Sequence, residues 1–342
     1  MSRPTDPPSD GGDRVVIGVD VGGTKVAAGR VVGKRATGVV QHPTDLSGSD
    51  ALMAGIERAI GEVAESAGDP DAIGIGMPSQ IDFETGTIVS SVNIPFEGVA
   101  LGSELGTRLG VPVYLDNDAN CAALAEAHSG DEGPTSHLVM LTLGTGVGGG
   151  AIINGRIFRG HTGLGGELGH MVVNPDGPRC QGSCPNRGCL ETMCSGTALE
   201  RDATAFAAAN PGSGLHRIGA SQGGRVKGRQ VVDAARAGDA DAQRLLDGLG
   251  TWLGIGISNY VNVFEPEHFV IGGGLSAAGD LFLERAQEEA GSRALPALFG
   301  RVRVSLAQAG NDAGVIGAGL LAAQELGLSG DTAGLESDGR SA

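Results

Sequence analysis

Val15-Val16-Ile17-Gly18-Val19 runs directly into Asp20-Val21-Gly22-Gly23-Thr24-Lys25 and then into Val26 to Val32. Two apolar runs with only a glycine turn between them leave no room for a helix, so the pair reads as a β-hairpin. The same grammar returns at Leu138-Val139-Met140-Leu141-Thr142-Leu143, followed by Gly144-Thr145-Gly146-Val147-Gly148-Gly149-Gly150 and Ala151-Ile152-Ile153. A strand–glycine turn–strand unit used twice predicts a duplicated α/β fold, with two domains and a ligand cleft between them.

Working outward, residues 50–66 place Leu52, Ile56, Ile60 and Val63 on one helical face. Ile73-Gly74-Ile75-Gly76-Met77-Pro78 is a buried strand with a loop at its carboxyl end, and Val111 to Leu115 is another, running into Asp116-Asn117-Asp118. An Ala-rich helix follows over 119–128. Later come a helix over about 240–263, a strand from His268 to Ile271 ending in Gly272-Gly273-Gly274, and a last helix near 313–326. No change of composition marks a linker. The repetition alone divides the chain into domains 14–118, completed by helix 313–326, and 119–312. Segments 1–13 and 327–342 are polar and are expected to be disordered tails.

Composition narrows the function. The 342 residues carry 24 Lys and Arg against 40 Asp and Glu, a net charge of −16, and only 3% are aromatic. Binding to nucleic acid through phosphates needs clustered cations, and single strands need stacking rings, so nucleic acid is not expected as a partner. The core must be built from Val, Ile, Leu and Ala. Glycine supplies 61 residues, more than twice the ordinary share, which suits turns and ligand loops. Only Lys25, Lys34 and Lys227 are lysines; an acidic, lysine-poor chain fits a salt-loving source or a GC-rich genome. No apolar run spans a bilayer, the N-terminus lacks a signal-peptide centre, and the cysteine pattern suits a reducing compartment. A cytoplasmic protein with no membrane partner is expected.

Several residues point to chemistry. In the first turn, Gly22 and Gly23 let backbone amides approach a phosphate, Thr24 and Lys25 can donate to its oxygens, and Asp20 can orient Mg2+; the plain alternative is a tight hairpin with a surface lysine. Gly144, Thr145 and Gly146 would offer a second set of amides to the same phosphates. Gly272, Gly273 and Gly274 would admit a nucleoside, or simply form a turn. Asn117 and Asp118 close a strand, where one can hold a hydroxyl and the other accept its proton; the alternative is a helix cap. His170, Cys180, Cys184 and Cys189 make a Cys3His set suited to structural Zn2+. Glu167 and Glu191 bracket that set and can accept hydrogen bonds from a polyol. Cys121 and Cys194 read as packing residues without a role.

Together these residues resemble the ROK family of sugar kinases and sugar-responsive repressors, within the actin-like ATPase superfamily. The resemblance rests on Leu143 through Gly144, Gly146, Gly148, Gly150, Gly160 and Gly166 to Gly169-His170. It is supported by Asp20 to Lys25, Asn117-Asp118, Cys184-Pro-Asn-Arg-Gly-Cys189-Leu-Glu191 and Gly272 to Gly274, and it covers roughly residues 14 to 326. It implies an actin-like ATPase (ribonuclease H-like) fold with ATP phosphates between the two glycine turns. It also implies a hexose held by Asn93, Asn117, Asp118, Glu167, His170 and Glu191, with contacts from Gly76 to Gln80. Asp118 becomes the general base, and His170 serves sugar and zinc together. Cys180 and Cys184 are separated by three residues where many members have one, so Cys180 is the ligand that a structure has to place.

The expected activity is ATP-dependent phosphorylation of glucose to glucose 6-phosphate by a homodimer or homotetramer. N-acetylmannosamine or fructose as acceptor, and polyphosphate as donor, stay open. The rival class is a sugar-sensing regulator. Family repressors carry a helix-turn-helix ahead of this region, and about fourteen residues before the first strand are too few for its paired helices.

Overall fold

In the computed structural model, residues 14–91, 94–131 and 133–328 are described. Asn93 and most of the two expected tails (1–13 and 329–342) lie outside them.

The first half of the chain forms β1 (Val16–Val21), β2 (Lys25–Val32), β3 (Arg35–Pro43), α1 (Ser49–Ala67), β4 (Ala72–Met77), β5 (Ser79–Asp82), β6 (Thr87–Ser91), α2 (Leu101–Leu109), β7 (Val113–Asn117) and α3 (Asp118–Ala127). The second half begins with β8 (Leu138–Leu143), β9 (Val147–Ile153) and β10 (Arg156–Ile157). After a 3-10 turn at Leu168–His170 come α4 (Leu190–Cys194), α5 (Gly196–Ala209), α6 (Gly214–Ala220), α7 (Gly228–Arg236) and α8 (Ala240–Phe264). The chain closes with β11 (His268–Gly272), α9 (Leu283–Arg293), α10 (Pro296–Phe299), β12 (Arg303–Leu306) and α11 (Ala313–Glu325).

The duplication is visible in strand order. One five-stranded sheet runs β3-β2-β1-β4-β7 and the other β10-β9-β8-β11-β12. In each, a meander of antiparallel strands is followed by two parallel pairings: β1 with β4 and β4 with β7, β8 with β11 and β11 with β12. Both glycine hairpins occur where the two apolar runs placed them. Strand β3 and the β5–β6 hairpin were not anticipated. β3 is an edge strand that is exposed along much of its length, so it carries no apolar run to betray it. Helices α2 and α4 to α7 were also missed, because their short apolar stripes are broken by glycines and polar residues.

Aliphatic side chains dominate the interior, as the composition required, although Tyr260, Phe96, Phe269 and Phe282 are the largest fully buried ones. Helix α11 comes after the last strand of the second sheet yet lies on β1 and β4 of the first. Two glycines permit that approach: a Cβ at Gly18 would run into the Val315 carbonyl, and one at Gly74 into that of Ala318. Among the described residues, no helix is long and apolar enough to cross a membrane.

Candidate active site

The parallel strands of the first sheet deliver the site. Register pairs Asp20 on β1 with Gly76 on β4, and Met77 on β4 with Asn117 on β7. Asp20, the Gly76-Met77 corner and Asn117 therefore line up across the carboxyl ends of three neighbouring strands, where open α/β sheets bind ligands. Asn117 caps helix α3: its Oδ1 accepts the Ala119 N–H at 2.9 Å, and its Nδ2 donates to the Ser79 carbonyl at 3.3 Å. The capping alternative is thus realised, while the second Nδ2 hydrogen has no partner among the described residues. Asp118 opens the helix, one residue earlier than the sequence pattern suggested, and its Oδ1 accepts the same Ala119 N–H at 2.8 Å.

Two carboxylates share this end of the sheet. Burial and the nearby negative charge of Asp118 push the Asp20 carboxyl up from 3.8 to about 6, against the pull of Lys25. Burial likewise raises Asp118, partly offset by backbone hydrogen bonds. Gly314, in the first turn of α11, leaves room for this arrangement, because a Cβ there would lie 2.6 Å from the Asp20 Cγ. No motif in the sequence flagged Gly314. Just after Asp20, the turn closes through Gly22 N–H to the Lys25 carbonyl at 2.9 Å, and Thr44 Oγ1 donates to the Gly22 carbonyl at 2.6 Å. Gly23, Thr24 and Lys25 stand exposed.

The second sheet brings its own loops to the same place. Ala119, next to Asp118, packs against β9, where a Cβ at Gly148 would lie 3.5 Å from the Ala119 Cβ. The turn before it, Gly144 to Gly146, is braced by α5: Gly196 N–H donates to the Gly144 carbonyl at 2.8 Å and Thr197 Oγ1 to that of Thr145 at 2.7 Å. Gly272 is in register with Thr142, and Gly273 (φ +81°) presses against Leu143. The two glycine runs of this half therefore lie side by side.

Glu191, near the start of α4, lies beneath the Gly144–Gly150 loop. Its Oε2 accepts the Val147 N–H at 3.1 Å, and a Cβ at Gly146 would collide with the carboxylate. Glu167 is exposed and accepts from Gln80 Nε2 at 2.9 Å, joining the β5 hairpin to the loop ahead of His170. Thus Asn117, Asp118, Glu167, His170 and Glu191 are carried by segments that bond to one another.

The metal-ligand set also assembles. One ligand atom from each of His170, Cys180, Cys184 and Cys189 falls within 4.8 Å of every other. Cys184 and Cys189 sulfurs are 3.8 Å apart, and His170 Nδ1 is 3.4 Å from the Cys180 sulfur. Tetrahedral zinc with bonds of about 2.3 Å to sulfur and about 2.0 Å to nitrogen implies separations of about 3.8 and about 3.5 Å, so donor type and spacing both fit. Cys180, the doubtful ligand, is part of the cluster. Its loop folds back through Cys180 N–H to the Asn186 carbonyl and Leu190 N–H to the Met171 carbonyl. Cys121 and Cys194 are fully buried and their thiols are pushed up by burial, which leaves them inert packing groups.

A model of the ROK family matches residues 16–325. A glucokinase of Halalkalibacterium halodurans is 37% identical over 325 residues, 92% of this chain and 96% of that one. Among solved structures, a ROK hexokinase from Thermus thermophilus superposes with a TM-score of 0.78 at 35% identity, covering 92% of this chain and 99% of the other. A ROK family glucokinase from Streptomyces griseus, in complex with glucose and AMPPNP, gives 0.73 at 34% identity, over 91% and 99%.

Proposed function

The chain belongs to the ROK family, and from that premise we propose that it is a glucokinase that transfers the γ-phosphoryl group of ATP to the primary hydroxyl of glucose. Its duplicated sheets are the actin-like ATPase fold. The observation that carries the reading is the juxtaposition of Asp118 with Asp20 beside two glycine loops: a base for the hydroxyl proton, a carboxylate for Mg2+, and amides for phosphates.

The hydroxyl oxygen forms the new P–O bond, the bond between the γ-phosphorus and the β–γ bridging oxygen breaks, ADP leaves, and the hydroxyl proton passes to Asp118. Burial raises the proton affinity of Asp118, which suits a base that must capture a proton from an alcohol. Asn117, Glu167, His170, Glu191 and Asn93 are the residues we assign to the sugar hydroxyls. Gly22, Gly23, Thr24, Lys25, Gly144, Thr145 and Gly146 are assigned to the phosphates, and Gly272 to Gly274 to the nucleoside. Asp20, whose ionised form is destabilised by burial, would gain from a bound Mg2+, which supplies charge neutralisation to the phosphates. Zn2+ would be held by His170 Nδ1 and the three thiolates, with no open position, and so would be structural.

Residues 14–118 with α11, and 119–312, are proposed as the two domains of this kinase. A cytoplasmic homodimer or homotetramer completes the reading, supported by thiols available as ligands and by the exposed apolar Val263 and Leu295. The sugar-sensing regulator is disfavoured because Asp20 and Asp118 are both present, at the carboxyl ends of the two strands that flank β4 in one sheet, with the charge of Asp118 felt at Asp20. The test is turnover of Asp118→Asn, which keeps the volume but accepts no proton. Turnover should fall at least about 10²-fold while glucose still binds; near-normal turnover would refute the role.

A further inference from the structure

The residue before the proposed sugar-binding pair is itself buried and charged. Asp116, on β7, is 4% exposed. Its Oδ1 accepts the Asn117 N–H at 2.8 Å and Asn120 Nδ2 at 2.7 Å, so one carboxylate oxygen holds both ends of the turn that carries Asn117 and Asp118. The other oxygen, Oδ2, accepts from Arg159 Nε at 2.6 Å. Arg159 comes from the second half of the chain, just after β10.

Arg159 is tied on three further sides. Its guanidinium carbon lies 3.6 Å from the centroid of the Phe83 ring, just past β5, a cation–π contact made while Nε is directed at Asp116. Its carbonyl accepts the Gly165 N–H at 2.9 Å, closing the 159–165 loop, and Gly163 in that loop packs so tightly that a Cβ would lie 2.9 Å from the Phe83 nitrogen. Two residues beyond Gly165 stands Glu167, already bonded to Gln80. On the far side, Glu325 of α11 lies 4.0 Å from Nη2.

We infer that Arg159 is a positioning residue for the hexose site: it locks the Asn117-Asp118 turn of the first sheet to the β5–β6 hairpin and to the Glu167 loop of the second. This rests on the proposed kinase reading. A buried carboxylate stripped of its cation moves or drags in water, and here it would take Asn117 and Asp118 with it. The glycine turns at 22–25 and 144–146 lie outside the network, so the nucleotide should feel little.

The test compares Arg159→Lys, Arg159→Met and the double variant Asp116→Asn/Arg159→Met with the unaltered enzyme, measuring kcat and the KM for glucose and for ATP separately. Arg159→Lys keeps the charge but loses the planar fork whose Nε is directed at Asp116. It should lose about 10- to 100-fold in kcat/KM for glucose, with the ATP KM within about twofold. If Arg159→Met folds poorly, the double variant, which removes both buried charges, should be more stable than Arg159→Met and still carry the glucose defect. Folded Arg159→Lys with unchanged glucose kinetics, or with glucose and ATP KM rising together, would overturn the positioning role. Failure of the unaltered protein to phosphorylate any hexose would instead overturn the proposed function, and this inference with it.

Discussion

Asp20 should make the nucleotide-free enzyme less stable at neutral pH than an uncharged residue would, and Asp20→Asn should reveal by how much. Its carboxyl titrates at about 6 in the folded protein against an ordinary 3.8, so about two units separate folded and unfolded states. At about 1.4 kcal/mol per unit, the ionised carboxylate costs about 3 kcal/mol of stability. The sign follows from which state holds the proton more tightly. The folded state does, so the group favours folding below 3.8 and loses that advantage as pH rises through 6. Linkage places about half of the cost at pH 5 and nearly all of it at pH 7.5. Asparagine does not titrate, so the stability of Asp20→Asn over the unaltered protein should widen by about 1.4 kcal/mol between those pH values. Urea unfolding of the nucleotide-free protein at pH 5 and 7.5 measures this directly. An equal stability difference at both would refute the claim that Asp20 is held as a strained, desolvated carboxylate. The same substitution should abolish most turnover.

Other outcomes follow from the same geometry. The pH–rate profile should show an acid limb lying above the ordinary carboxylate range, because Asp118 must be ionised to accept the hydroxyl proton and burial raises its pKa; a rate flat down to pH 4 would contradict this. Cys184→Ser should lose bound zinc and raise the glucose KM. Because Glu191 also holds the Val147 N–H, ATP affinity should weaken to a smaller degree; metal analysis with separate sugar and nucleotide titrations checks both effects. Molar KCl should raise the melting temperature by screening the repulsion within a chain of net charge −16, and a flat or falling response would count against it.

What the sequence made legible was local. Each glycine hairpin lies within about twenty residues, and the strand alternation and missing helix were readable on either side of Gly22-Gly23 and of Gly144 to Gly150. His170 and the three cysteines were readable because thiolates and imidazole at that spacing have few other uses. What stayed hidden depends on contacts between distant segments. Asp116 and Arg159 are 43 residues apart, and although each lies beside a motif residue (Asn117 and Gly160), nothing local in the sequence pairs them. Gln80 meets Glu167 across 87 residues, through a hairpin of two short strands that each bury a single isoleucine, Ile81 and Ile88, too little for an apolar run. Glu191 could be read from the sequence only as a candidate polyol contact, and its bond to Val147 in the glycine loop could not, since that depends on how α4 is laid under β9.

The most direct test of the account is the product formed from glucose and ATP with Mg2+. The account predicts ADP and glucose 6-phosphate in a one-to-one ratio, with the phosphoryl group on the primary hydroxyl, as phosphorus NMR of the product would show. Phosphate at the anomeric position, or sugar and nucleotide both bound without any transfer to glucose or another hexose, would contradict it.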